Sequence, residues 1–182
     1  RSVDTVLPAI KVYNLREVDE LILLDISARS EQREPDYVSI KEFSEECFVP
    51  LTVGGGVNSI DVIRKLLLAG ADKVCINSAA YDNPSLINEG VNKFGSQCIV
   101  CSVDVKFDAS VNKYICYSDN GKVNTGIEVK EWVRELEGRG AGEILITSIE
   151  HEGMMEGYTG NYIRISRPYD KEQIGNIIDI TI

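Results

Sequence analysis

The 182-residue chain has 19 Lys+Arg against 29 Asp+Glu, a formal net charge of -10, and 43% apolar residues. That is one domain's worth of chain with a real core, neither disordered nor fibrous, and too acidic to offer a phosphate backbone a generic basic surface. No apolar run approaches the roughly 20 residues of a membrane span, and the opening Arg-Ser-Val-Asp carries no leader pattern, so neither nucleic acid nor membrane is expected as a partner.

In chain order, residues 1–14 read as a helix through Leu7, Ile10 and Tyr13, and Glu20–Ser27 as a strand. Tyr37, Ile40 and Phe43 mark a helix before Cys47, and Val49–Gly54 a second strand. Ser59 is placed to cap a helix through Ile60, Ile63 and Leu67 that stops at Ala69-Gly70. Lys73–Asn77 is the next strand, followed by a helix that Pro84 opens and Gly95 ends. Cys98–Asp104 is a strand; Lys113–Ser118 with the Asp119-Asn120-Gly121 turn reads as a strand and turn inserted after it, giving a hairpin near 106–121. A helix through Val129, Trp132, Val133 and Leu136 leads to a strand at Glu143–Ile149, and Asn176–Ile182 is a weak final one.

These strands are nearly continuous apolar runs, as parallel strands buried on both faces are. Glu20-Leu-Ile-Leu-Leu-Asp25-Ile and Glu143-Ile-Leu-Ile-Thr-Ser148-Ile echo one another at an offset of roughly 120 residues, half of the ~250 of a (β/α)8 barrel. The fold expected is therefore α/β of (β/α)8 TIM-barrel type. It is incomplete, with strands two to six or seven and without strands one and eight, as a single domain over 1–182 whose residues 163–182 form a divergent tail.

Cys47, Cys75, Cys98, Cys101 and Cys116 are an odd count in apolar surroundings, which reads as reduced thiols in a cytoplasm. Cys98 and Cys101 would point to opposite faces of a strand. With His151 the sole histidine, no metal site is expected.

In a barrel, polar residues at the carboxyl ends of strands are the ones that meet substrate. Here these are Asp25, Gly54-Gly55-Gly56, Asn77-Ser78, Asp104 and the Glu150-His151-Glu152-Gly153 stretch. Asp104 suits acid/base work if partial burial raises its pKa; a helix-capping or loop-bonding Asp is the alternative. The glycine turn before a helix, with Asn77 and Ser78 beside it, suits an anion; a tight barrel turn is the alternative. Glu20, Lys73 and Glu143 begin their strands and point to the opposite mouth, as an ion-pair ring or as solvated charges.

Together these segments resemble the cyclase subunit of imidazole glycerol phosphate synthase, of the histidine-biosynthesis barrel family. The matching stretches include Asp19–Ser27, Leu51–Val57, Gly70–Ala80, Asn83–Ile87, Phe94–Gln97, Val103–Lys106, Lys122–Gly126 and Gly140–Ile149, and the likeness runs from about residue 8 to about 168. It implies a bis-phosphorylated substrate, the ribulosyl formimino-aminoimidazole carboxamide ribotide. With ammonia this yields imidazole glycerol phosphate and an aminoimidazole carboxamide ribotide, with no cofactor. Asp104 matches one of the family's two catalytic aspartates, and no residue matches the other, so the chain alone is expected not to turn over. Gly55, Gly56, Asn77, Ser78, Gly153 and Asp25 fall at substrate and phosphate positions. Glu20, Asp72, Lys73 and Glu143 fall at the gate and face that receive ammonia from a glutaminase subunit. Two alternatives stay open: a paralogous branch that works with a glutaminase-like partner in amidating surface-glycan sugars, and a chain that only docks a partner.

Overall fold

The structure, a computed structural model, describes residues 3–148, 154–158 and 164–168. The chain divides into two compact units, Arg1–Thr147 and Ser148–Ile182.

The first unit opens with helix α1 (Val3–Leu15), then alternates: β1 (Leu21–Leu24), α2 (Tyr37–Glu46), β2 (Leu51–Gly54), α3 (Ile60–Leu68), β3 (Lys73–Ile76). Helices α4 (Ser78–Asp82) and α5 (Ser85–Phe94) and a 3-10 turn lead into the long strand β4 (Ile99–Asp108). Then come β5 (Lys113–Ser118), β6 (Val123–Glu128), α6 (Val129–Gly138) and β7 (Glu143–Ser148). β1, β2, β3 and β4 pair in that order, all parallel. β7 pairs with β4, its start beside that of β4 through the Gly142 N–H bonded to the Ile99 carbonyl at 3.0 Å. With the inserted β5 and β6 set aside, neighbours in sequence are neighbours in the sheet, the barrel order expected, and among the described strands there is no order reversal of the doubly wound kind.

The caps explain where helices begin. Ser59 accepts from the Val62 N–H and heads α3, and Asp36 does the same for α2 through Ser39. The buried face of α3 is carried by Val62, Ile63 and Leu66, while Ile60 and Leu67 are only partly buried, a rotation from the stripe the sequence suggests.

Strand residues divide between two faces with period two. Leu51, Val53, Val74, Ile76, Ile99, Cys101, Val103 and Val105 join α2, α3, α5 and α6 in one apolar core. The opposite face carries Thr52, Gly54, Lys73, Cys75, Ser102 and Asp104, smaller and more polar, with Thr52, Cys75 and Ser102 still buried. Lys73 and Asp104 therefore share one face of the sheet, towards opposite mouths.

The inserted segment is larger than the hairpin expected near 106–121. The C-terminal half of β4 pairs antiparallel with β5, which pairs antiparallel with β6, so Val123–Glu128 is a strand the pattern did not announce. Its Val123, Thr125 and Ile127 alternate with Asn124, Gly126 and Glu128, but Asn and Gly are poor strand formers, and pairing with β5 completes the strand.

In the second unit, β8 (Met154–Tyr158) and β9 (Arg164–Pro168) form an antiparallel pair, with Met154 opposite Pro168 and Tyr158 opposite Arg164. The Glu150–Gly153 stretch with His151, and the strand expected at Asn176–Ile182, lie outside the described residues.

Candidate functional site

Past the carboxyl ends of β1, β2 and β3 the chain turns three times, and β4 passes beside these turns with Asp104 within it, running on to Asp108. β1 runs into Asp25, whose N–H bonds the Gly54 carbonyl at 2.9 Å. β2 runs into Gly55 and Gly56 at φ 104° and 70°. A side chain at Gly55 would collide with the Asp25 carbonyl oxygen, so this turn needs glycine for contact as well as for its left-handed backbone. β3 runs into Asn77 and Ser78, and β4 carries Asp104. A cavity of about 870 Å³ opens here, with Asp25, Gly55, Gly56, Asn77 and Ser78 in its wall.

The two aspartates are held differently. Asp104 is partly buried, and its Oδ2 accepts one hydrogen bond, from Asn77 Nδ2 at 2.9 Å. Burial pushes its carboxyl above the usual range, and the Asn77 bond pulls back only part of that. Asp25 also pays for burial, but Arg33 and Ser27 outweigh it and hold its carboxyl below the usual range. Arg33 grips both oxygens, Nη1 to Oδ2 at 2.7 Å and Nη2 to Oδ1 at 3.0 Å. The Ser27 and Ala28 N–H groups and the Ser27 hydroxyl add bonds to Oδ1. Burial thus holds Asp104 towards its protonated form, while Asp25 is held ionised as a loop clasp.

Asn77 and Ser78 are engaged in ways that their spacing does not reveal. The Asn77 donor, expected to face an anion, points at Asp104, and its Oδ1 is buried without a hydrogen-bond partner. The buried Ser78 Oγ accepts from the Asp119 N–H at 3.0 Å. That bond brings the β5–β6 turn across to the cavity. Asn120 Nδ2 donates to the Ile26 carbonyl at 2.7 Å, and Arg29 pairs with both Asp82 at 3.2 Å and Asp119 at 3.4 Å.

At the amino ends of the same strands, Lys73 Nζ bonds Glu20 Oε2 at 2.9 Å and Glu143 Oε1 at 2.6 Å. The buried Thr52 hydroxyl donates to Glu20 Oε1 at 2.6 Å. Burial pushes Glu20 up, but Thr52 and Lys73 together bring it below the usual range; Glu143 and then Glu20 hold the Lys73 ammonium above its own. Of the two readings open for these charges, the ion-pair cluster is the one formed. Asp72 does not join it: its Oδ2 accepts from the Leu51 N–H at 2.8 Å and fixes the entry to β2. The two ends lie four residues apart along β3, about 13 Å at 3.3 Å per residue.

Arg33, Thr52, Asp119 and Asn120 are the site residues that sequence reasoning missed. Asp119-Asn120-Gly121 was legible as a turn, but nothing local says that it reaches a serine 41 residues away. Gly153 lies outside the described residues. Among the described residues no His/Cys/Asp/Glu group is arranged to hold a metal ion, and no helix is long and apolar enough to cross a membrane.

The profile of the family described as "Histidine biosynthesis protein" matches residues 1–172. Among curated proteins, the chain is 45% identical to the imidazole glycerol phosphate synthase subunit HisF of Staphylococcus saprophyticus, over 91% of this chain and 64% of that one. It is 50% identical to the subunit HisF of Dictyoglomus thermophilum, over 80% of this chain and 58% of that one, and 46% identical to that of Natranaerobius thermophilus, over 83% and 59%. The chain thus spans about three fifths of the length of the curated relatives it matches.

Proposed function

Because the chain belongs to the histidine biosynthesis protein family and carries part of its (β/α)8 barrel, we propose that it contributes an acid/base group and a phosphate cradle to the cyclase reaction of imidazole glycerol phosphate synthase. The substrate on this reading is the bis-phosphorylated ribulosyl formimino-aminoimidazole carboxamide ribotide, cyclised with ammonia in L-histidine biosynthesis in the cytoplasm. The observation that carries it is the environment of Asp104: among the described residues one hydrogen bond and no cationic partner, and a carboxyl pushed up by burial, next to Asn77 in the cavity wall.

Each residue then has a task. Asp104 gives and takes the proton as the imidazole ring closes and the carbon–nitrogen bond to the leaving ribotide breaks. Gly55 and Gly56 let one phosphate approach the backbone, and the first turn of α3 offers it free N–H groups. Ser78 keeps its hydroxyl proton free to donate to that phosphate, since in the resting arrangement its oxygen serves as an acceptor. Asp25 supports the loop that closes one wall of the cavity, acting through Arg33 and Ser27. Gly153 belongs by the same reading to the second phosphate. At the opposite mouth, Glu20, Lys73 and Glu143 form a charged gate to ammonia, with Asp72 at the rim facing a glutaminase subunit.

The test is a chimera in which residues 21–148 replace the corresponding stretch of the Staphylococcus saprophyticus relative. We expect ammonia-dependent formation of imidazole glycerol phosphate, reduced about 10²–10⁴-fold in kcat by Asp104→Asn. A folded, active chimera that Asp104→Asn leaves unchanged contradicts the reading.

A further inference from the structure

Asn77 uses one of its two polar atoms. Nδ2 donates to Asp104 Oδ2, while Oδ1 is buried and has no hydrogen-bond partner. The same residue stands in the wall of the cavity with Gly55, Gly56 and Ser78. A carboxamide carries donors on one side and an acceptor on the other, in nearly the same shape, so a half-turn exchanges them at little steric cost. An ionised carboxylate only accepts. It therefore fixes the amide with Nδ2 towards Asp104 and leaves an acceptor on the other side. An anion in the cavity also only accepts, and finds nothing to bond in that oxygen. A protonated Asp104 reverses the demand: its O–H needs an acceptor, which Oδ1 supplies, and Nδ2 is released to donate elsewhere.

We propose that Asn77 is a positioning residue that couples anion occupancy of the cavity to the protonation of Asp104. With the cavity empty, Nδ2 bonds an ionised Asp104. With an anion bound, the amide is turned, Oδ1 accepts from a protonated Asp104, and Nδ2 donates to the anion. Binding thus takes up one proton from solvent and leaves the acid loaded where the chemistry needs it. This inference rests on the anion-site reading above.

The surroundings leave Asn77 in control. Among the described residues it is the one hydrogen-bond donor to the Asp104 carboxylate. Cys75 on β3 and Tyr81 on α4 also feel the Asp104 charge, and burial pushes both up, so neither is ionised where a carboxylate titrates. Across β5, Tyr117 is opposite Asp104 in register, and Lys106 Nζ stands over the Tyr117 ring at 6.0 Å. Among the described residues no cation bonds Asp104 directly.

The experiment follows the Asp104 carboxyl carbon by NMR through a pH titration of the full chain, with saturating sulfate or with chloride at equal ionic strength. Sulfate serves as the probe because it keeps its charge across the carboxylate range. We expect sulfate to raise the Asp104 midpoint by about one pH unit, which by linkage is a tenfold tightening of sulfate binding on protonation. The Asn77 Nδ2 signal should shift with it. In Asn77→Ala, sulfate should still perturb the Gly55, Gly56 and Ser78 amides, but most of the rise at Asp104 should vanish. An equal rise in Asn77→Ala shows through-space charge alone and overturns the relay, as does an unmoved Asn77 amide in the unsubstituted chain. That second readout decides the matter by itself should Asn77→Ala fail to fold. If sulfate perturbs none of the Gly55, Gly56 and Ser78 amides in the unsubstituted chain, the anion-site reading falls, and the relay with it.

Discussion

Glu20 and Asp104 lie on the same face of one sheet, at opposite mouths, and their charges are met in opposite ways. At the amino end, Glu20 has Lys73 and the Thr52 hydroxyl within hydrogen-bond distance, and Lys73 reaches Glu143 as well. At the carboxyl end, Asp104 has a single neutral amide among the described residues. Both carboxyls are pushed up by burial; partners reverse that at Glu20 and not at Asp104. Partial burial alone therefore does not raise a carboxyl. What raises one is burial without a cation, and Asp25 shows the converse within the same mouth, where a bidentate arginine holds an aspartate after a strand below its usual range.

The largest effect expected is the 10²–10⁴-fold fall in kcat from Asp104→Asn in the chimera described above, against a change of less than about tenfold for Asp25→Asn, a loop residue on this account. Equal losses from the two would erase the distinction drawn within the carboxyl mouth. Next comes Gly55→Ala. The added carbon meets the Asp25 carbonyl in a left-handed backbone, and we expect a loss of about 2–4 kcal/mol in urea unfolding. A loss below about 0.5 kcal/mol would show that the turn is not as tightly built as described.

Lys73→Met sharpens the other side of the comparison. It strips charged hydrogen bonds from Glu20 and Glu143 and should cost about 1–3 kcal/mol at neutral pH. The sign with pH follows from Glu20. Its folded pKa is depressed, so its contribution is present above the unfolded value and lost as pH falls through the folded one. The stability difference between the two proteins should therefore shrink in acid; a difference that widens there would contradict the pairing. Asp104 has the opposite sign: its raised folded pKa favours folding at low pH and loses that contribution as pH rises through the folded value. The smallest effect is that of Arg33→Met. Arg33 is 39% exposed and screened by solvent, so unfolding stability should hardly change, yet the Asp25 carboxyl should titrate higher than before.

Much of this was legible in the sequence because it is local. The apolar runs of β2 and β3, the Ser59 cap and the glycine turn each announce themselves within a few residues. The placing of Asp25 and Asn77 at strand ends follows from barrel order once the strands are read; Asp104, expected to end its strand, sits inside β4, which runs on to Asp108 because it pairs with β5. The protonation behaviour was not legible, because it depends on partners far apart in sequence: Asn77 to Asp104 over 27 residues, Glu20 to Lys73 over 53, Asp119 to Ser78 over 41. Asp25 and Asp104 look alike as strand-end aspartates; only the arginine eight residues after Asp25, folded back by its loop, separates their roles. β6 was missed although Val123, Thr125 and Ile127 alternate, because Asn124 and Gly126 weaken so short a pattern and pairing with β5 completes it.

The central claim is that one carboxyl in this sheet is poised and its counterparts are quenched. A single carboxyl-carbon NMR titration that resolves Glu20, Asp25 and Asp104 in the same sample tests it most directly. The account predicts Asp104 above the ordinary aspartate value, with Asp25 and Glu20 each below its own. An Asp104 that titrates at or below the ordinary value, or an Asp25 that titrates above it, would contradict it.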